Sequence, residues 1–271
     1  MINLTKGKLV LEGPRKKLYH SNEPGIFVMQ FKDEEKSLID LSEQRYVDGS
    51  GTVNNAISAF IMGKMGELNI PTHFIRQINM REQAIYGMDM FPFTITIRNY
   101  ATGRTMQHLG VVEQSKLPYP LIEYHMKTIA ENGESREELI TPLHLTSLGW
   151  LHEFEVGEIE RISLRVNDFL TGLFAGGRLI LVSYTLKLGR YIVQEEDDFR
   201  VMIGDEITPR TCELWDGNGT GSEETRQKHR YLSDIEVANR LGLLPKHTSE
   251  EQKNEPVSLN EFSAVNRAHF S

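Results

Sequence analysis

One cysteine, Cys212, stands in 271 residues, which excludes an intramolecular disulfide and a cysteine-built metal cluster. Positive charge is also short. Thirty Lys and Arg against 38 Asp and Glu leave a net charge of −8, which argues against a nucleic-acid surface because phosphate binding relies on clustered basic side chains. A local basic pocket for a small phosphorylated ligand remains compatible with that balance. No apolar run approaches the ~20 residues of a membrane helix, and the opening MINLTKGKLVLEG lacks a signal-peptide core. The nine histidines show no metal-ligand spacing, and His144 and His152 read as fold residues. Gly172–Gly177 followed by Arg178 lacks the Lys-Ser/Thr end of a Walker loop, and no G-x-S-x-G nucleophile motif occurs. What is present, 39% hydrophobic and 25% charged residues, describes an ordinary soluble globular protein with one large domain or two small ones. The expectation is a cytoplasmic protein without membrane or nucleic-acid partners, with a homo-oligomer left open.

The first hundred residues read as strand-rich. LVLEG (9–13), KLYH (17–20) and GIFVMQF (25–31) are short apolar runs separated by turn residues, Gly13-Pro14 and Asn22-Glu23-Pro24-Gly25. Over Thr52–Leu68 the period changes. Val53, Ile57, Phe60, Ile61, Met65 and Leu68 recur at three- and four-residue spacing, which places them on one face of a helix closed by Pro71. THFIRQINM and FPFTITIRNY return to strand character. The second half begins loosely around Asn132–Glu138. It then predicts a long helix with Ile159, Ile162, Val166, Phe169, Leu170 and Leu173 on one stripe, stopped by Gly176-Gly177. Two strands follow, Leu179–Leu188 and Arg200–Ile207, then a glycine-rich loop at 217–221, a helix from Glu224 to about Leu241 and a polar tail. The predicted architecture is α+β, with a β-rich N-terminal lobe at 1–100, a mixed α/β lobe at 101–244 and a tail at 245–271.

The segments GTVNNAISAFI (51–61), IPTHFIRQINMREQ (70–83), TIRNYATG (96–103), RVNDFLTGLF (165–174), RLILV (178–182), GDEITP (204–209) and CELWD (212–216) together resemble the SAICAR synthetase family in order and spacing, over roughly residues 9–241. The resemblance implies a two-lobed fold with a nucleotide cleft between the lobes. It also implies ATP and Mg²⁺ as cofactors, and amide ligation of aspartate to a carboxylated aminoimidazole ribonucleotide.

Set against the family's letters, several working positions differ. The ATP loop G-K-x-K-x-x-Y is here Gly13-Pro14-Arg15-Lys16-Lys17-Leu18-Tyr19. Pro14 supplies neither charge nor an N–H, while Lys16 and Lys17 remain as nucleotide-binding candidates. A plain surface hairpin with a solvated basic run is the competing reading. The substrate strand keeps Arg98 and Asn99, but carries Thr94 for glutamate and Arg104 for serine. Arg98 suits bidentate capture of a phosphate or carboxylate, or it ends a strand and pairs with a nearby acid. In the metal strand the family's Asp, Lys and Glu are Ser183, Thr185 and Lys187, and Lys187 reverses the sign of a charge. Asp205 and Glu206 remain as metal candidates, Asp205 also as a nucleotide contact. An exposed strand end is the alternative for both. Beyond them the family's Asp and Arg are Arg210 and Glu213, an exchange compatible with an internal salt bridge. Arg230 is retained as a substrate candidate, and Leu232 replaces an arginine. Three readings follow: a working family ligase, an ATP-dependent ligase for another acid/amine pair, or a non-catalytic paralogue binding a ligand or a partner protein. Charges lost in three places at once rank the first last.

Overall fold

The computed structural model describes residues 4–33, 49–103, 109–129, 135–193, 198–217 and 233–243. In chain order they form β1 (Lys6–Glu12), β2 (Lys16–Ser21), β3 (Ile26–Phe31), α1 (Ser50–Glu67), β4 (Phe74–Asn79), β5 (Glu82–Tyr86), β6 (Asp89–Met90), β7 (Phe93–Tyr100), β8 (Lys116–Ile129) and β9 (Ser135–Ile140). There follow α2 (Pro142–Ser147), α3 (Glu153–Gly176), β10 (Leu179–Val193), β11 (Asp198–Gly204), β12 (Cys212–Asp216) and α4 (Asp234–Arg240). The chain divides into two compact units, Met1–Lys64 with Phe74–Gly87 and Leu232–Ser271, and Met65–His73 with Met88–Tyr231.

The first unit holds a five-stranded antiparallel sheet in the order β1-β2-β3-β5-β4. Its runs are short because turn residues interrupt them; the Gly13 N–H closes the first turn on the Lys16 carbonyl at 2.8 Å. Met29, Phe31 and Ile85 are buried together, with Leu18 and Phe27 packed against them. Helix α1 begins where the Asp33 carboxylate accepts the Gly51 N–H at 2.9 Å, satisfying one orphan donor of the first turn. It ends with Asn69 in the left-handed region, φ 54, and the Ile70 N–H returning to the Met65 carbonyl. The helix expected over Thr52–Leu68 is present, and its burial extends beyond the face shared by Val53, Ile57, Ile61 and Met65. Every residue from Ser50 to Ala59 is buried, Phe60 is only half-buried, and Leu68 lies past the helix end at 51% exposure. Small residues (Gly51, Ala56, Ser58, Ala59) make all-round burial sterically cheap. In α4, Ser233 caps the start by accepting the Glu236 N–H; the rest of the helix expected from Glu224 lies outside the described residues, as does the tail.

The second unit is built on a seven-stranded sheet, β11-β10-β7-β8-β9, with β12 and β6 also pairing β10. Helix α3 packs on β10. Ile159, Ile162, Val166, Leu170 and Phe174 are buried along it, while Phe169 and Leu173, expected on the stripe, are half-buried. The Tyr184 hydroxyl donates to the Ser163 carbonyl at 2.7 Å across this contact. Strand β10 outlasts its expected end at Leu188 by five residues, because the register with β11 continues from Lys187↔Gly204 to Val193↔Asp198. Strand β11 stops earlier than expected, at Gly204, because Asp205 turns the chain with φ 63, a conformation Asp tolerates better than most residues. Gly189 is required by close approach. A Cβ there would lie 2.5 Å from the Asp89 carbonyl oxygen of β6, so a side chain would part the two strands. Along β10, Val182, Tyr184, Leu186 and Leu188 are core residues, while Ser183, Thr185 and Lys187 occupy the alternate positions, as the period of two requires. The β8–β9 hairpin, paired from Tyr124↔Ile140 to Ile129↔Ser135, and the short α2 occupy a stretch the sequence reading left loose.

Candidate functional site

The sequence-selected residues fall into two groups, one in each unit. In the first, Pro14 sits in the β1–β2 turn and Lys16 and Lys17 open β2. Lys17 Nζ lies 3.2 Å from the Glu12 carboxylate, and Lys32 Nζ lies 2.7 Å from the same oxygen. Hydrogen bonds from Lys32 and then Lys17 hold the Glu12 carboxyl below its usual range. Lys16 Nζ stands 5.9 Å from the Phe31 ring centroid. The basic run is therefore braced by an acid and an aromatic of its own sheet.

The second group is drawn together by four strands, β7, β8, β10 and β12. Strand β7 pairs with β10 so that Arg98 faces Ser183 and Thr96 faces Thr185, and β12 sets Glu213 opposite Ser183. The Arg98 Nε donates to Glu123 Oε2 on β8 at 2.7 Å, with Glu123 almost wholly buried. A second guanidinium nitrogen reaches Thr102 Oγ1 at 3.3 Å. Gly103 makes room for that side chain: its φ is +85, and an added Cβ would lie 3.0 Å from the Arg98 guanidinium. Thr102 in turn donates to Glu213 Oε2 at 3.1 Å, and Ser183 Oγ donates to the same oxygen at 3.2 Å. His125 Nε2 stands 3.3 Å from Glu123 Oε2. The result is a guanidinium paired with Glu123 and linked through the Thr102 hydroxyl to Glu213. Such a cluster is strong internally, since charge-assisted hydrogen bonds in covered surroundings exceed neutral ones.

Two further departures pair here as well. Thr185 Oγ1 is 3.2 Å from Thr96 Oγ1, and Lys187 Nζ is 2.5 Å from Asp205 Oδ2. Glu206 is buried, and Thr208 Oγ1 donates to its carboxylate at 3.4 Å. The turn behind it is tied by Thr208 and Thr211, whose hydroxyl and amide groups exchange hydrogen bonds, and Arg210 donates its N–H to Thr208 Oγ1 at 3.3 Å. Asn99 does not stand alone. Its side-chain amide exchanges hydrogen bonds with Asn167 of α3 at 2.8 and 3.1 Å and also reaches the Leu181 carbonyl. Thr94 lies on β7 opposite His125 of β8. Arg104, Arg230 and Leu232 lie outside the described residues. Glu123, His125 and Thr102 were not singled out from sequence. The alternation of IEYHMK (122–127) is a strand signal that could have placed Glu123 and His125, but nothing local names Arg98 as the partner of a residue 25 positions on.

Among the described residues no helix is long and apolar enough to cross a membrane, and no group of three or more His, Cys, Asp or Glu side chains is close enough to hold a metal ion. An α+β scaffold of this order is the SAICAR synthetase fold. The family model for SAICAR synthetase matches residues 9–239, and the chain belongs to that family. The phosphoribosylaminoimidazole-succinocarboxamide synthase of Acidiphilium cryptum is 37% identical over 258 residues, covering 92% of this chain and 98% of that one. That of Hyphomonas neptunium is 36% identical over 259 residues, 93% and 96% of the two chains. Among solved structures, the phosphoribosylaminoimidazole-succinocarboxamide synthase of Ehrlichia chaffeensis superposes with a TM-score of 0.72 at 27% identity, over 88% of this chain and 100% of that one. A SAICAR synthetase (Type-2) in complex with ADP gives 0.71 at 26% identity, over 89% and 100%.

Proposed function

We propose that this protein is a diverged SAICAR synthetase-family member that no longer joins aspartate to a carboxylated aminoimidazole ribonucleotide. In this reading it is a non-catalytic paralogue that keeps the scaffold as a binding site for a nucleotide or other small phosphorylated ligand. The observation that carries the reading is the engagement of Arg98. The guanidinium that the resemblance assigns to an anionic substrate is held by Glu123 at 2.7 Å. Glu213, which stands where the family has arginine, brings a second carboxylate to within one hydroxyl of it. An anionic substrate would compete with Glu123 for the guanidinium. Loss of one stabilising electrostatic contact commonly costs 10²–10³-fold in rate, about 3–4 kcal/mol, and here several are changed together. Nucleotide binding is supported by the ADP complex of a family structure at 26% identity; a cytoplasmic location accompanies that reading.

The test is direct: the purified protein with ATP, Mg²⁺, aspartate and the carboxylated ribonucleotide, product followed by mass spectrometry. The expected result is no succinocarboxamide product above the enzyme-free control; sustained turnover would sink the proposal. A second reading, an ATP-dependent ligase for a different acid/amine pair, is favoured by the way the substituted residues pair. Ser183 with Glu213, Thr96 with Thr185 and Lys187 with Asp205 are satisfied contacts, as expected of a rebuilt site rather than a decayed one. Phosphate release from ATP, dependent on one acid and one amine in a substrate screen, would decide for it.

A further inference from the structure

The residues at the end of β11 are poorly suited to the divalent ion that the resemblance implies. Asp205 is fixed from three sides. Its backbone is turned at φ 63, its carbonyl oxygen lies 2.9 Å from His73 Nε2, and its carboxylate lies 2.5 Å from Lys187 Nζ. The pair is asymmetric in exposure: the Asp205 side chain is 19% exposed and that of Lys187 is 51%. The carboxylate is the covered partner and the ammonium the open one. A divalent cation approaching Asp205 must displace an ammonium ion, with repulsion scaling as the product of the charges. An anion approaching the same place meets that ammonium first, with N–H donors on a flexible stem.

We propose that Lys187 is the resident cation of this site: it takes the place of a divalent metal beside Asp205, so that the site excludes Mg²⁺ and receives phosphate groups without it. This rests on the reading that the ligand is phosphorylated, but its test involves no ligation chemistry, so failure of one is distinguishable from failure of the other. Lys187 faces Gly204 in the β10–β11 register, so a carboxylate at position 187 would point at Asp205 in its stead.

Mn²⁺ is titrated into wild type, Lys187→Glu and Lys187→Met, free ion being read by electron paramagnetic resonance. The expected order of affinity is Lys187→Glu, then Lys187→Met, then wild type, with a gain of at least ~10-fold for Lys187→Glu as a repulsive charge becomes an attractive one. Wild type binding Mn²⁺ as tightly as Lys187→Glu would overturn the proposal. Should Lys187→Glu fail to fold, Lys187→Met decides alone, and affinity no better than wild type overturns it equally. In a parallel thermal-shift series, inorganic pyrophosphate in excess EDTA is expected to raise the melting temperature of wild type more than that of Lys187→Met. Equal shifts, no shift in wild type, or a wild-type shift seen only with Mg²⁺ would each reject the resident-cation role.

Discussion

Removing Arg190 while leaving Glu155 should be among the costliest single changes in the second unit. The Glu155 side chain has no solvent exposure. Arg190 meets it with Nε at 2.6 Å and a second nitrogen at 2.8 Å, and the His152 N–H adds a third donor at 2.8 Å. The same guanidinium donates to the Trp150 carbonyl and lies 4.9 Å from the Phe91 ring and 5.5 Å from the Phe199 ring. Breaking a buried pair by deleting one partner strands a charge, at about 3–5 kcal/mol, and the lost ring contacts add about 0.5–1 kcal/mol. Arg190→Met should therefore cost roughly 4 kcal/mol. Glu155→Met/Arg190→Met should recover most of that, because an apolar pair leaves no stranded charge. The pH dependence carries a second signature. Burial pushes the Glu155 carboxyl up, but the Arg190 hydrogen bonds, the His152 amide and the Arg190 charge outweigh it and leave the carboxyl below its usual value. A depressed carboxyl contributes stability that is present above its unfolded value and lost as pH falls through the folded one. In Arg190→Met burial prevails, so the deficit should be largest at neutral pH and shrink toward pH ~4. Urea unfolding followed by tryptophan fluorescence from pH 4 to 8 measures both. A loss under ~1 kcal/mol at pH 7, or a double variant as unstable as the sum of the singles, would refute the reasoning.

Three further outcomes are expected. Tyr184→Phe should cost about 1–2 kcal/mol in urea unfolding, because the Ser163 carbonyl loses its buried donor; no loss would mean that the carbonyl is satisfied otherwise. Cys212 is buried and its thiol is pushed up to about 12, chiefly by burial. A disulfide reagent at pH 8 should thus leave it unmodified in the folded protein and label it fully in denaturant; rapid labelling of the native protein would contradict that burial. Glu213→Ala should lower stability by about 1–2 kcal/mol, since Thr102 and Ser183 both donate to one of its oxygens, whereas Glu213→Gln, which keeps an acceptor, should cost less than half as much; reversal of that order would show the charge itself to matter more than the hydrogen bonds.

Local pattern carried the elements whose residues contact their own neighbours. The alternation in 179–188 and the 3.6-residue stripe of 159–173 both name real elements, because side-chain period and burial coincide there. It failed where tertiary context decides. Strand β8 contains Pro118 and Pro120, residues that disfavour a central strand, yet both lie before Tyr124, where the pairing with β9 begins. The end of β11 was set by one backbone angle at Asp205, which no hydropathy pattern encodes. The candidate site was legible as a set of positions, and Lys187 as a reversed charge. Its partner was not, because the Lys187–Asp205 contact follows from a hairpin register that the misjudged strand ends concealed. The same holds for Arg98, whose neighbour Glu123 is set by the pairing of β7 with β8.

Strand β10 keeps two ledgers on one piece of backbone. Its even-numbered residues from Val182 to Leu188 answer to the hydrophobic interior and Ser183, Thr185 and Lys187 to whatever occupies the other face. A change at Thr185 or Lys187 thus disturbs the interior far less than one at Tyr184, Leu186 or Leu188. A lineage can exchange every charge on one face while its scaffold stays recognisable, so that overall identity to a relative measures inheritance of the interior and is a poor gauge of inherited activity.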